Sequence, residues 1–120
     1  MLLDSNIIIY SALPAYPSLL KLLQPGTSVS AIALVEVLGF PRLAPVDRLS
    51  FEKFFASATV LPIDQAVISE AIRLRSQRTM KLGDALVAAT AAVHGLALVT
   101  HNTKDFSWIT GLVLLDPLSP

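Results

Sequence analysis

Short apolar runs alternate with longer segments of helical periodicity along the chain. Within these runs, apolar and polar residues do not alternate one by one, a pattern typical of strands buried on both faces of a parallel sheet. The runs predict strands at residues 1–3, 27–29, 59–63, 96–100 and 112–115. The other segments predict helical structure from residue 4 to about 23, broken near Pro14 and Pro17, and helices at 31–40, 47–56, 64–80 and 84–94. The pattern therefore predicts an α/β fold, with helices covering a mostly parallel sheet of four or five strands.

The composition is that of one globular domain. The chain has 120 residues, of which 53% are hydrophobic and 15% charged, so it is long enough for one core and lacks the character of a disordered tail. We expect a single domain over residues 1–120. Nine acids balance nine Lys and Arg, which argues against holding long nucleic acid by bulk charge. Any contact with a polynucleotide must then be local.

The chain lacks cysteine and lacks a segment typical of a membrane span or a secretory signal, and this limits its possible chemistry and location. The chain has no cysteine and only two histidines, which excludes disulfides, thiol nucleophiles and thiolate zinc sites. The longest apolar stretch, residues 85–99, is shorter than the roughly 18 to 20 residues of a membrane-spanning helix. Asp4 interrupts the first apolar run, and no basic residue precedes that run, which argues against a secretory signal. We expect a cytoplasmic protein without membrane contact.

Four acids occupy positions that one end of the predicted sheet would bring together. Asp4 and Asp105 follow the first and fourth strands, Glu36 lies two turns into the helix after the second strand, and Asp84 opens the helix before the fourth. Ligands of open α/β sheets bind outside the carboxyl ends of the strands. Clustered carboxylates repel one another and are costly to bury, so they favour a bound cation, Mg²⁺ or Mn²⁺.

Each acid taken alone also has a simpler explanation. Asp4 could form an Asx turn, and Asp84 could cap its helix or interact with the helix dipole. Glu36 could be an ordinary solvated residue, and Asp105 could cap a short turn. Only the joint placement of the four acids favours the metal site.

Four segments, in order, resemble the motifs of PIN-domain nucleases. LLDSNIII resembles the opening LD[ST]N motif, SAIALVEVL the second motif with its helical glutamate, GDALVAATA the third, and VTHNTKDF the fourth. The small size is most similar to VapC-type toxins of toxin/antitoxin pairs. The resemblance implies a PIN-like three-layer α/β/α fold and a magnesium-dependent endoribonuclease that hydrolyses single-stranded RNA through a metal-activated water. It also implies a homodimer and an antitoxin partner that inhibits the enzyme.

The resemblance also assigns roles to individual residues. Asp4, Glu36 and Asp84 match the metal-binding, catalytic acids of the family. The fourth acid matches either at Asn102 or at Asp105; we favour Asp105, with Asn102 as a neutral oxygen donor or water-positioning residue. The small polar residues expected to orient the acids are Ser5, Asn6 and Thr100.

The segment RLRSQRTMK carries four of the nine basic residues just before Asp84. Arg75, Arg78 and Lys81 are spaced three apart, which places them on one side of the helix and its exit. We predict that they contact the RNA backbone near the metal. The alternative is a basic surface that is merely solvated.

Two other functions compete with the nuclease hypothesis. A magnesium-dependent phosphohydrolase of the DxD type needs a second acid two residues after Asp4, where this chain has Asn6. A catalytically inactive PIN-like module that binds RNA or protein is the second alternative, and the four retained acidic positions argue against it.

Overall fold

The computed structural model describes residues 1–119, and Pro120, the last residue of the predicted domain, lies outside the described residues. Neighbouring strands all run parallel, in the order β3-β2-β1-β4-β5. The strands are β1 (Leu2–Leu3), β2 (Ser28–Ser30), β3 (Thr59–Leu61), β4 (Leu98–Val99) and β5 (Leu114–Leu115). The predicted α/β class and the five-stranded parallel sheet are confirmed. The extent of the domain, 1–120, stays a prediction.

Six α-helices and one 3₁₀ helix (Pro17–Leu22) connect the strands within residues 1–119. The α-helices are α1 (Ser5–Tyr10), α2 (Ala31–Leu38), α3 (Pro45–Ser57), α4 (Gln65–Gln77), α5 (Leu82–His94) and α6 (Thr103–Phe106). Two N-caps follow from sequence: the side chains of Ser30 and Asp64 accept hydrogen bonds from the backbone of α2 and α4.

Successive residues of the central strands point to opposite faces of the sheet, and each face has its own core. Leu2 and Leu98 belong to the core under α4, α5 and α6. Leu3 and Val99 belong to the core under α1, α2 and α3. Because a strand alternates its side chains between the two faces, two adjacent apolar residues are enough to anchor both helical layers. The three-layer α/β/α arrangement is therefore present.

Most predicted elements differ from the structure by a few residues at their ends, and the helices differ in three further ways. The first helical segment ends at Tyr10 and continues only as the 3₁₀ helix, since Pro17 fits the first turn of a new helix better than the interior of an old one. Helix α5 begins at Leu82, so Gly83 lies within its first turn instead of interrupting the chain. Helix α6 was not predicted, because a four-residue helix has no periodicity to detect.

The strand order determines where a ligand site forms. The chain builds β1, β2 and β3 outward in one direction and then crosses back to add β4 and β5 on the other side of β1. Such a reversal leaves a crevice outside the carboxyl ends of β1 and β4. Asp4 and Thr100 directly follow these two strands. Within residues 1–119, no helix is both long enough and apolar enough to cross a membrane.

Candidate active site

Asp4 is a buried carboxylate at the end of β1, with 4% of its surface exposed. It occupies the N-cap position of α1, yet its side chain makes no capping hydrogen bond. Instead, Thr100 Oγ1 donates to Asp4 Oδ2 over 2.9 Å. The backbone N–H of Asn102 in turn donates to Thr100 Oγ1 over 3.1 Å. Because the threonine oxygen already accepts a bond from Asn102, its single proton is directed at Asp4.

The charge on Asp4 is unfavourable in this position. Burial, together with the nearby carboxylates of Asp84 and Glu36, raises the pKa of Asp4 to about 6, although the hydrogen bond from Thr100 opposes the shift. Within residues 1–119, no cation forms an ion pair with Asp4. A buried acid of this kind, held near two other acids, is typical of a functional site.

Asp84 lies in the first turn of α5, half-buried and one turn past the N-cap residue Lys81. Its pKa is raised by burial, by Asp105 and by Glu36, whereas Lys81 lowers it. The dipole of α5 favours an acid in this turn, so the interaction with the helix dipole that the sequence suggested for Asp84 is present. The electrostatic influence of both Glu36 and Asp105 nevertheless indicates that Asp84 lies near both acids.

Glu36 reaches across from α2 toward the start of α5, although the residue is exposed as a whole. A Cβ atom added at Gly83 would lie 2.6 Å from Glu36 Oε2 and 3.3 Å from its Cδ. The glutamate carboxylate therefore occupies the space that a side chain at Gly83 would fill. The glycine directly before Asp84 in the motif GDALVAATA is the sequence feature that could have indicated this close approach of Glu36. Sequence reasoning missed it.

Asp105 lies on α6 and shares a surface cleft of about 370 Å³ with Asp84. Asn102 is exposed at the start of α6 and makes no capping hydrogen bond with its side chain. Of the two candidates for the fourth acidic position, Asp105 is thus the one that lines the same cleft as Asp84.

The predicted orienting residues have different surroundings. Thr100 is buried and hydrogen-bonded to Asp4. Ser5 is also buried, and its backbone N–H lowers the pKa of Asp4. Asn6 is partly exposed.

The basic segment is divided between two surfaces. Arg78 and Lys81 line the cleft beside Asp84 and Asp105. Arg75 lies in a neighbouring groove, where its Nε donates to the backbone oxygen of Met80 over 3.3 Å. The structure therefore separates Arg75 from the two other basic residues.

Lys104 and Trp108 are among the residues of the cleft that were not assigned to it from sequence. Lys104 precedes Asp105 directly, and Trp108 follows it by three residues, about one helical turn. The Trp108 side chain also packs against the core under α4, α5 and α6. That spacing from Asp105 is the signal by which both residues could have been found.

Comparison with known proteins identifies the family. The sequence model of the PIN domain matches residues 1–111. The chain belongs to the PIN domain family. "Ribonuclease VapC1" of Rickettsia felis (strain ATCC VR-1525 / URRWXCal2) is 34% identical to this PIN domain over 98 residues, 72% of this chain and 73% of that protein. The recognition of a PIN domain most similar to VapC proteins is confirmed.

Solved structures agree with this assignment. A toxin-antitoxin complex from Klebsiella pneumoniae contains a chain that matches with a TM-score of 0.79 and 29% identity, over 99% of this PIN domain and 98% of that chain. A chain of the DNA-bound VapBC from Salmonella typhimurium matches with a TM-score of 0.77 and 25% identity, over 96% of each chain. The PIN fold thus extends over β5, which lies beyond the family match.

The residues of this PIN domain suit a hard divalent cation. The donors are carboxylate oxygens, the ligands that Mg²⁺ and Mn²⁺ prefer, and Asp4 is a buried charge without a cation to balance it. As they stand, no three Asp, Glu or His side chains within residues 1–119 lie close enough together to hold an ion by themselves. Since Mg²⁺ usually keeps several waters and binds only one or two carboxylates directly, such an open arrangement fits it.

Proposed function

We propose that this PIN domain is a magnesium-dependent endoribonuclease that hydrolyses phosphodiester bonds of single-stranded RNA, and that it is the toxin of a type II toxin/antitoxin pair. The observation that carries the proposal is Asp4, a buried carboxylate at the carboxyl edge of the sheet that feels the charges of Asp84 and Glu36. The similarity to a protein named Ribonuclease VapC1 supports the choice of RNA as substrate.

The metal would be held by the four acids Asp4, Glu36, Asp84 and Asp105, one or two of them directly and the others through waters bound to the ion. Bound Mg²⁺, or Mn²⁺ in its place, would polarise a phosphoryl oxygen of the RNA and lower the pKa of a water molecule bound to the ion. Thr100 orients the carboxylate of Asp4 through its hydrogen bond. A water activated by the metal needs no nucleophilic side chain, which fits a chain with no cysteine and with no histidine at the positions of the motif acids.

The basic residues of the cleft would hold the RNA chain. Arg78 and Lys81 lie beside Asp84, where they can neutralise backbone phosphates without reading the sequence. This local cluster reconciles RNA binding with a formal net charge of zero.

An antitoxin and a second copy of the chain are the proposed protein partners, in the cytoplasm. The similar chain from Klebsiella pneumoniae is part of a toxin-antitoxin complex, which supports the antitoxin. Apolar side chains remain exposed on α4, where Ile68 and Ile72 are 40% and 64% exposed, and such surface favours association. Light scattering at tens of micromolar is expected to show a dimer, and a monomer would contradict this part of the proposal.

The nuclease activity is tested by incubating the protein with mixed RNA and Mg²⁺, with and without EDTA. We expect cleavage that EDTA abolishes, and no cleavage by Asp84→Asn with Mg²⁺. The matched control is Asp47→Asn, because Asp47 is likewise an acid in the first turn of a helix, α3. Its activity should equal that of the parent protein.

Cleavage that persists in EDTA would contradict the metal dependence. Binding of RNA without cleavage under any metal condition would favour the inactive PIN-like module, and hydrolysis of phosphomonoesters alone would favour the other phosphohydrolase.

A further inference from the structure

Arg78 and Trp108 lie in contact at the edge of the cleft. The Cζ atom of Arg78 lies 5.5 Å from the centroid of the Trp108 ring, over its face, a cation–π arrangement. Both side chains line the cleft that contains Asp84 and Asp105. The pair therefore lies directly beside the proposed reaction site.

The position of the indole is fixed by the proposed fourth acid. Trp108 Nε1 donates to the backbone oxygen of Asp105 over 3.0 Å. Trp108 also packs against the core under α4 and α5. Because the indole is held by both contacts, its ring is a rigid surface next to Asp105.

Arg78 carries a charge that no Asp or Glu side chain within residues 1–119 pairs with. It is exposed directly after α4, and within residues 1–119 it makes no hydrogen bond or ion pair. The Trp108 ring holds the guanidinium in place, and its donors stay available to a ligand.

The rim of the cleft carries more positive than negative charge. Three basic residues, Arg78, Lys81 and Lys104, line it together with the two acids Asp84 and Asp105. The cleft volume of about 370 Å³ is within the range of pockets that take small organic ligands. A flat stacking surface next to ammonium groups matches the two halves of a nucleotide, a planar base and an anionic phosphate.

We propose that the Arg78–Trp108 pair is the stacking platform for one unpaired base of the RNA, whose phosphate is contacted by Lys81 and Lys104. This inference rests on the proposed function and names its substrate-binding subsite. Unstacked bases bind to aromatic rings and to arginine planes, and every base offers such a face. The platform thus selects single-stranded over duplex RNA, because both faces of a base inside a duplex are covered by the neighbouring bases that stack on it.

The intact protein offers a direct readout, because Trp108 is its only tryptophan. In EDTA, where the proposed cleavage is blocked, we expect a short unpaired oligoribonucleotide to change the tryptophan fluorescence. An abasic ribose-phosphate oligomer of equal length retains the charge but not the bases. We expect it to bind about tenfold more weakly and to leave the fluorescence nearly unchanged.

Two variants test the pair, with binding followed by the anisotropy of labelled oligomers. Trp108→Leu and Arg78→Lys should both reduce the preference for the base-containing oligomer to about twofold or less, since lysine keeps the charge but lacks the plane. Arg75→Lys is the matched control in the neighbouring groove and should keep the full preference.

Equal binding of the two oligomers to the parent protein would overturn the platform, and so would a preference that survives Arg78→Lys. The first comparison needs no variant, so a misfolded Trp108→Leu protein would not prevent the test. Absence of cleavage together with base-dependent binding would remove the nuclease proposal only. Cleavage together with equal binding of both oligomers would remove the platform only.

Discussion

Replacing Asp4 by asparagine is expected to abolish RNA cleavage and to stabilise the metal-free protein. The carboxylate is 4% exposed, and burial, Asp84 and Glu36 together raise its pKa from 3.8 to about 6. That difference corresponds to roughly 3 kcal/mol, the cost of keeping the charge in the folded state at neutral pH. Asparagine removes the charge, and its side-chain oxygen can still accept the hydrogen bond from Thr100. We expect the free energy of unfolding to rise by up to roughly 3 kcal/mol.

The pH dependence gives the sign of this effect independently. The folded protein holds the Asp4 proton more tightly than the unfolded chain, because the folded-state pKa is the higher one. The parent protein therefore loses stability as pH rises from 3.8 through about 6. Above about pH 6 the folded protein bears the full free-energy cost of the ionised Asp4. The advantage of Asp4→Asn should be largest above about pH 7 and should shrink toward zero near pH 4.

Denaturant unfolding in EDTA at several pH values measures this difference, and added Mg²⁺ completes the test. A ligand that binds only the folded state stabilises it by about 2.7 kcal/mol at a hundredfold excess over Kd. The parent should show such a gain, and Asp4→Asn should gain much less. Asp64→Asn is the matched control, since Asp64 caps α4 and asparagine caps about as well. An Asp4→Asn protein that cleaves RNA, or that is less stable than the parent in EDTA at neutral pH, would contradict the metal-site hypothesis.

Gly83→Ala is expected to lower RNA cleavage at least about tenfold without unfolding the protein. The added methyl group would lie 2.6 Å from Glu36 Oε2, so the glutamate carboxylate has to move. The movement costs little, because that atom is the far end of a flexible side chain on an exposed residue. Alanine also favours the helix over glycine by up to about 1 kcal/mol. The variant should therefore melt at or above the temperature of the parent while its activity falls.

A double-mutant cycle shows whether Gly83→Ala acts through Glu36. Glu36→Gln alone should also reduce cleavage. The double variant should be about as active as the less active single variant, because both substitutions disturb the same carboxylate. Losses that multiply would instead show that alanine disturbs another part of the cleft. Full activity of Gly83→Ala would remove Glu36 from the proposed site.

The sequence by itself determined the fold class and the placement of the acids. Apolar runs without alternation indicated buried parallel strands. The caps formed by Ser30 and Asp64 are likewise local, because capping depends only on neighbours in the chain. The position of Asp4 directly after a strand was equally a local fact. These features were predictable because each depends on a few consecutive residues.

Only the tertiary structure decided which side chains meet. The bond between Thr100 and Asp4 joins residues 96 positions apart, and it exists because β4 pairs with β1. The closeness of Glu36 to Gly83 depends in the same way on the packing of α2 near α5. The stacking of Arg78 on Trp108 requires α4 and α6 to lie on the same face of the sheet. Strand order and helix packing are set by the cooperative burial of the whole core, which no local pattern encodes.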